Sequence, residues 1–196
     1  MGRILSAFRQ HMDPGVPAFP AQHHGGKEEF DLNSLAERST WDIAAHWYEP
    51  FLQKSSDQVT KEAVAAARPL AQQRIADSVD GLVFVKTHAA LVKDRGTPTI
   101  DMTRTAGAIY VVRNPLDVAI SYAKHLGMPI ERAVHILNMP RFETDNFPNA
   151  VYEFYGSWSQ HVASWTRRPH RAVFIVRYEG PPCRSPCRLW PAWPNS

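Results

Sequence analysis

Cysteine is nearly absent from this sequence: only Cys183 and Cys187 occur, both within the last fourteen of its 196 residues. Two cysteines exclude a disulfide framework of any size, and one C-x3-C pair without a second is a poor zinc signal, so the pair reads as incidental and no metal is expected. Long apolar runs are absent too. No window holds eighteen consecutive apolar residues, which argues against a membrane-spanning helix. An excess of one charge sign is also lacking. The 22 Lys and Arg stand against 19 Asp and Glu, a formal charge of +3 spread along the chain, and without a basic stripe nucleic acid is not the expected partner. The opening stretch, "MGRILSAFRQHMDPG", has a short apolar run broken by Arg9 and His11. It has neither a signal-peptide core nor a small-residue cleavage site, which predicts a cytoplasmic protein. What is present suits one globular domain, with 44 % hydrophobic residues and six Trp. The length is too short for two domains of ordinary size.

Along the chain, residues 12–31 carry three Pro, three Gly and two adjacent His and read as an irregular loop. A helix is predicted from Ser39, where Ser39 with Asp42 resembles a capping box and Trp41, Ala44, Ala45, Tyr48 and Leu52 follow at helical spacing; Pro50 would end or kink it. A second helical pattern, Val64, Ala67, Ala71, Ile75 and Val79, leads to Gly81, with Pro69 as a kink. "GLVFVKTHAAL" then opens as a strand, followed by a loop around "KDRGTPTID" and a second strand over Ala108–Val112. That strand runs into a helix with Asn114 as N-cap, Pro115 at the first position, Asp117 in the first turn and Gly127 as the stop. A further helix is predicted over 149–165, because Val151, Phe154, Tyr155, Trp158, Val162 and Trp165 fall on one face. A third strand covers Ala172–Tyr178. Strands alternating with helices predict an α/β fold with a central parallel sheet flanked by helices.

Residues 181–196 differ from everything before them, with five of the sixteen Pro, both Cys, two of the six Trp and no acidic residue. The domain is therefore placed at 1–180, and 181–196 is an atypical Pro-rich tail. Nothing in the sequence points to an oligomeric state.

In a parallel α/β sheet, ligands bind outside the carboxyl ends of the strands. Lys86 and His88 follow the first strand read above, Arg113 the second, and Tyr178 ends the third. Taken singly, Lys86 reads as a residue reaching to water and His88 as a turn cap, while Arg113 is as readily an ion-pair partner of Asp117. Taken together, Arg113, the hydroxyl of Ser121 on the second helical turn and the helix N-terminus after Asn114 make an anion site suited to a phosphate.

Three stretches, "VFVKTHAAL", "IYVVRNPLDVAISYAKH" and "YGSWSQHVASW", resemble in order and spacing those of the sulfotransferases that use 3′-phosphoadenosine 5′-phosphosulfate. The resemblance covers about Asp31 to Glu179. It implies a single α/β domain akin to nucleotide kinases, with sulfuryl transfer from that donor to a hydroxyl or amine of a small-molecule acceptor. By the same resemblance His88 is the base that takes the acceptor's proton, and Lys86 stabilises charge on the sulfuryl group. Arg113 and Ser121 hold the 3′-phosphate, and Tyr178 approaches the adenine. The stretch Gly127–Phe154 offers either an apolar wall beside the acceptor or ordinary helix packing.

Two elements of that family's pattern are missing. There is no Lys- and Ser-containing phosphate loop of the type "YPKSGTTW", and no closing element of the type "RKGxxGDWK". "MGRILSAFRQH" resembles the helix that would follow the phosphate loop, so the expectation is a domain truncated at both ends, without its central strand. The alternative to an active enzyme is therefore an inactive remnant or nucleotide-binding module that keeps the 3′-phosphate half-site. A nucleotide kinase or other NTPase would need the same missing loop.

Overall fold

The computed structural model describes residues 3–9, 39–168 and 170–179. The irregular 12–31 stretch, Cys183 with Cys187, and the tail lie outside the described residues. A five-stranded sheet, all parallel, forms the centre. Its strands are β1 (Arg3–Arg9), β2 (Ser39–Trp41), β3 (Leu82–Thr87), β6 (Thr105–Val112) and β7 (Val173–Arg177), in the spatial order β2-β3-β1-β6-β7. Between β3 and β6 lies a small antiparallel ribbon, β4 (Lys93–Asp94) with β5 (Thr97–Pro98). The α/β class and parallel sheet read from the sequence are thus as observed.

The central strand is a correction. The N-terminal run, expected to be helical, is β1, and it pairs with β3 on one side and β6 on the other. A heptamer with four apolar residues, Ile4, Leu5, Ala7 and Phe8, between two arginines is compatible with either conformation. Two flanking strand edges with unpaired N–H and C=O groups decide the matter, because β1 satisfies both at once.

Helix α1 (Ala45–Leu52) begins later than expected, with Ala44 as a cap that makes no side-chain hydrogen bond. Ser39 is instead the first residue of β2, which extends the sheet alongside β3. Pro50 lies inside α1, which ends at Gln53 in the left-handed region (φ 55°). Helix α2 (Lys61–Ala76), capped by the Thr60 hydroxyl, runs on through Pro69. It buries Ile75 and Ala76 against Val83 and Val85 of β3, and Val64, Ala65, Ala67 and Ala71 against Tyr48, Val151 and Tyr152.

Helix α3 (Pro115–Leu126) matches the reading from the sequence in full: Asn114 accepts from the Leu116 N–H, and Gly127 closes it at φ 59°. The following stretch holds an additional helix, α4 (Ile130–Asn138). The long helix expected over 149–165 is only α5 (Trp158–Thr166). Residues before it are extended, because their backbone groups pair elsewhere: Val151 N–H with Ile43 C=O at 2.8 Å, Ala90 N–H with Phe154 C=O at 2.9 Å, and Tyr155 N–H with Phe142 C=O at 2.9 Å. Gly156 at φ 68° breaks the periodicity, and Ser157 with Gln160 forms a complete capping box that starts α5. The helix packs on the sheet through Trp165, stacked 5.4 Å from Tyr110 in a cluster with Ile100 and Ala108.

Candidate functional site at the carboxyl ends of the strands

Because every strand of the main sheet is parallel, their carboxyl ends converge on one rim. Lys86 and Thr87 end β3, with His88 next; Asp42 follows β2, Arg113 follows β6 and Tyr178 follows β7. Lys86 Nζ lies 5.3 Å over the ring of the exposed Trp41, its register partner on β2.

The His88 side is organised by one buried acid. Glu153, 2 % exposed, reaches from the extended stretch before α5. Its Oε1 accepts the His88 backbone N–H and, at 3.2 Å, the Thr87 hydroxyl. Its Oε2 lies 3.3 Å from His88 Nδ1 and accepts the Tyr155 hydroxyl at 3.0 Å. The His88 ring stacks on Tyr155 at 6.2 Å, and its Nε2 is buried with no hydrogen-bond partner among the described residues. Burial alone would raise Glu153, but hydrogen bonds from the His88 ring and backbone outweigh it and hold the carboxyl below its ordinary value. Asp42 is the converse case: burial, reinforced by Glu153, pushes it up to about 7. Its Oδ1 has no hydrogen-bond partner among the described residues, and it lines a small cavity with Gln72, Thr87 and Thr105.

Helix α5 fixes the loop that carries His88. His161, Ser164 and Trp165 stand at helical spacing on one face. His161 Nε2 donates to the His88 carbonyl at 2.9 Å, Ser164 Oγ accepts the Leu91 N–H at 3.0 Å, and Trp165 Nε1 donates to the Ala89 carbonyl at 3.2 Å. Since a carbonyl only accepts, His161 carries its proton on Nε2 and its Nδ1 faces the Tyr110 hydroxyl at 3.1 Å. Burial lowers His161 to about 4, so it is neutral at physiological pH.

On the other side of β1, Arg113 stacks 4.7 Å over the Tyr178 ring, brought there because β6 and β7 are neighbours. Tyr178 N–H donates to the Val112 carbonyl at 2.8 Å. Ser121 is half-buried on the second turn of α3. At the start of α3 the N–H of the cap residue is already engaged: Asn114 N–H donates to Glu179 Oε1 at 2.5 Å. The two clusters, Lys86 with His88 and Arg113 with Tyr178, are separated by the single strand β1, which sets the ends of β3 and β6 roughly 10 Å apart.

Residues 26–180 match the sulfotransferase domain family. The chain belongs to the sulfotransferase family. No curated protein matches it. The matched region includes every candidate residue named from the sequence, while β1 precedes it. No helix among the described residues is long and apolar enough to cross a membrane.

Reading the sequence alone misses Glu153, Asp42 and His161. It places Asp42 at a helix start and Glu153 inside an overextended helix. His161 has a signal, since it lies within the "YGSWSQHVASW" stretch and is 5 % exposed.

Proposed function

We propose that this chain transfers a sulfuryl group from 3′-phosphoadenosine 5′-phosphosulfate to a hydroxyl or amine of a small-molecule acceptor. The observation that carries the reading is the His88 imidazole at the end of β3, with Nε2 buried and unpartnered among the described residues, in a chain of the sulfotransferase family. In the reaction the acceptor atom attacks sulfur, the bond from sulfur to the bridging oxygen of the donor breaks, and the acceptor proton passes to His88. General base catalysis of this kind contributes roughly 10²–10⁴-fold. Lys86, with its ammonium at the same strand end, stabilises charge on the sulfuryl oxygens. Arg113 and Ser121 take the 3′-phosphate beside the α3 N-terminus, and Tyr178 faces the adenine. Arg113 fits that task by its guanidinium fork, and the separation of the two clusters by one strand suits a ligand that spans them. Glu179 is a competing anion at the same helix start, so its carboxylate swings away when phosphate arrives.

A second reading, nucleotide binding without turnover, draws on the stretch between β1 and β2, which contains no "PKSG"-like sequence. That stretch would otherwise supply a lysine and backbone donors at the 5′-phosphosulfate. Labelled sulfate transfer to a panel of alcohols, phenols and amines separates the two, alongside calorimetric titration with 3′,5′-diphosphoadenosine and adenosine 5′-phosphate. His88→Ala should abolish transfer and spare nucleotide affinity. Arg113→Ala should weaken the diphosphate by about one to two decades, the loss of a charge-assisted contact. Equal affinity for the two nucleotides would refute the 3′-phosphate half-site, and tight binding with no transfer to any acceptor would favour the second reading.

A further inference from the structure

We propose that Glu153 is the positioning residue of the base: it keeps the proton of neutral His88 on Nδ1, leaving the lone pair on Nε2, the nitrogen without a partner. The inference rests on His88 as the base, and it concerns how that base is held.

An ionised carboxylate can only accept hydrogen bonds. Glu153 has four donors around it, two at each oxygen: the Thr87 hydroxyl and His88 N–H at Oε1, and the Tyr155 hydroxyl and His88 Nδ1 at Oε2. A neutral imidazole facing a carboxylate from Nδ1 satisfies both groups only if Nδ1 carries the hydrogen. Nε2 must then be the unprotonated nitrogen, and it is the ring atom without a partner among the described residues. The same acid fixes the main chain of His88 through its N–H, while His161 fixes the carbonyl at 2.9 Å. Ring and backbone are thus pinned from opposite sides.

The charged and titratable groups around this ring are Glu153 and Tyr155 from the extended stretch, Asp42 from the β2–α1 turn and His161 from α5; the ammonium of Lys86 on β3 lies over the Trp41 ring. Of the two buried acids, Asp42 is the one driven toward its neutral form, so the negative charge resides on Glu153, next to the ring. When Nε2 takes a proton, the imidazolium is met by that charge across Nδ1–H. A purely architectural Glu153, one that only ties the extended stretch to the loop, would not select a tautomer.

Glu153→Gln tells the two roles apart. An amide has one acceptor and one donor end. The His88 N–H cannot reverse its polarity, so the amide oxygen must face it and the amide NH₂ must face Nδ1. Nδ1 then has to accept, and the proton moves to Nε2. Nitrogen NMR of the chain labelled at its nine histidines, with His88 assigned from the signals lost in His88→Gln, reads this directly. The expected result is a wild-type ring protonated at Nδ1, a Glu153→Gln ring protonated at Nε2, and transfer activity lowered roughly 10²–10⁴-fold without loss of nucleotide affinity. A Glu153→Gln ring still protonated at Nδ1 overturns the proposal. If that variant does not fold, the wild-type spectrum decides alone: a neutral ring protonated at Nε2 overturns it, and one protonated at Nδ1 sustains it. Absence of sulfuryl transfer in the wild type would count against His88 as a base and leave the tautomer result standing.

Discussion

Asp42 and His161 are buried on either side of the His88 loop, and their ionisation pulls stability in opposite directions. Asp42 has a folded-state value near 7 against 3.8 for the free side chain. Its contribution is therefore fully present below about pH 3.8 and is lost as pH rises through about 7. His161, lowered from 6.5 to about 4, contributes stability above its unfolded value that is lost as pH falls through about 4. Between pH 4 and 7 the two slopes largely cancel. Asp42→Asn removes only the first. Relative to wild type, the variant should gain on the order of 3 kcal/mol in unfolding free energy between pH 4.5 and pH 8, because each pH unit between the unfolded and folded values of Asp42 is worth about 1.4 kcal/mol. Urea unfolding of both chains at the two pH values checks this, and a difference that does not change with pH would show that Asp42 is ionised throughout. None of this was legible in the sequence. His88, Lys86, Arg113 and Tyr178 could be found because each directly follows or ends a recognisable strand. Glu153 and Asp42 owe their importance to one another and to His88, across 65 and 46 residues of chain, and no local pattern encodes a pairing made by tertiary folding.

Elements with both a period and punctuation were readable, and those with only one were not. Helix α3 had its cap, its proline and its stop glycine in sequence; β3, β6 and β7 had short apolar runs between polar ends. The stretch 149–157 had the helical period alone. Val151 and Phe154 of the predicted face are buried, but so are Tyr152 and Glu153 between them; the backbone pairs with Ile43, Phe142 and Ala90, so tertiary hydrogen bonds override the local preference. Ser39–Trp41 had a cap-like residue but lay beside an open strand edge, and sheet pairing prevailed. The real start of α5, Ser157, illustrates what such punctuation is worth. Its hydroxyl accepts the Gln160 N–H at 3.2 Å, and Gln160 Oε1 accepts the Ser157 N–H at 3.0 Å. Ser157→Ala should lower stability by about 1 kcal/mol. Because α5 also grips the His88 loop, hydrogen exchange at Leu91, whose N–H donates to Ser164 Oγ, should accelerate with it. Unchanged exchange there, with α5 itself loosened, would show that the loop is held without the helix.

At the scale of the molecule, the stretch bearing Glu153 is kept in place by an ion network on its far side, which joins α2, the β4–β5 ribbon and residues 143–152. Arg95 is the hub. It sits in the ribbon turn at φ 50° and contacts both oxygens of Asp94 at 3.0 and 2.9 Å. It also forks onto Glu143 at 2.9 and 3.0 Å. Glu143 is shared with Lys61 at 3.0 Å, and Tyr152, the residue before Glu153, donates its hydroxyl to Asp94 at 2.5 Å. The guanidinium groups of Arg95 and Arg68 lie over the Tyr152 ring, 4.9 and 5.0 Å from its centroid. The bond from Arg95 to the 70 % exposed Glu62 adds little, whereas the Asp94 side chain is fully buried and cannot lose its partner without cost. Arg95→Met should therefore destabilise the fold by about 3 kcal/mol, mostly by leaving the buried Asp94 with only the Tyr152 hydroxyl and the exposed Arg141, 3.8 Å away, as partners. Adding Asp94→Asn removes that charge. The double variant should accordingly recover a substantial part of the loss, which a double-mutant cycle of urea unfolding would measure. Simple additivity of the two substitutions would mean that Asp94 is not held by Arg95.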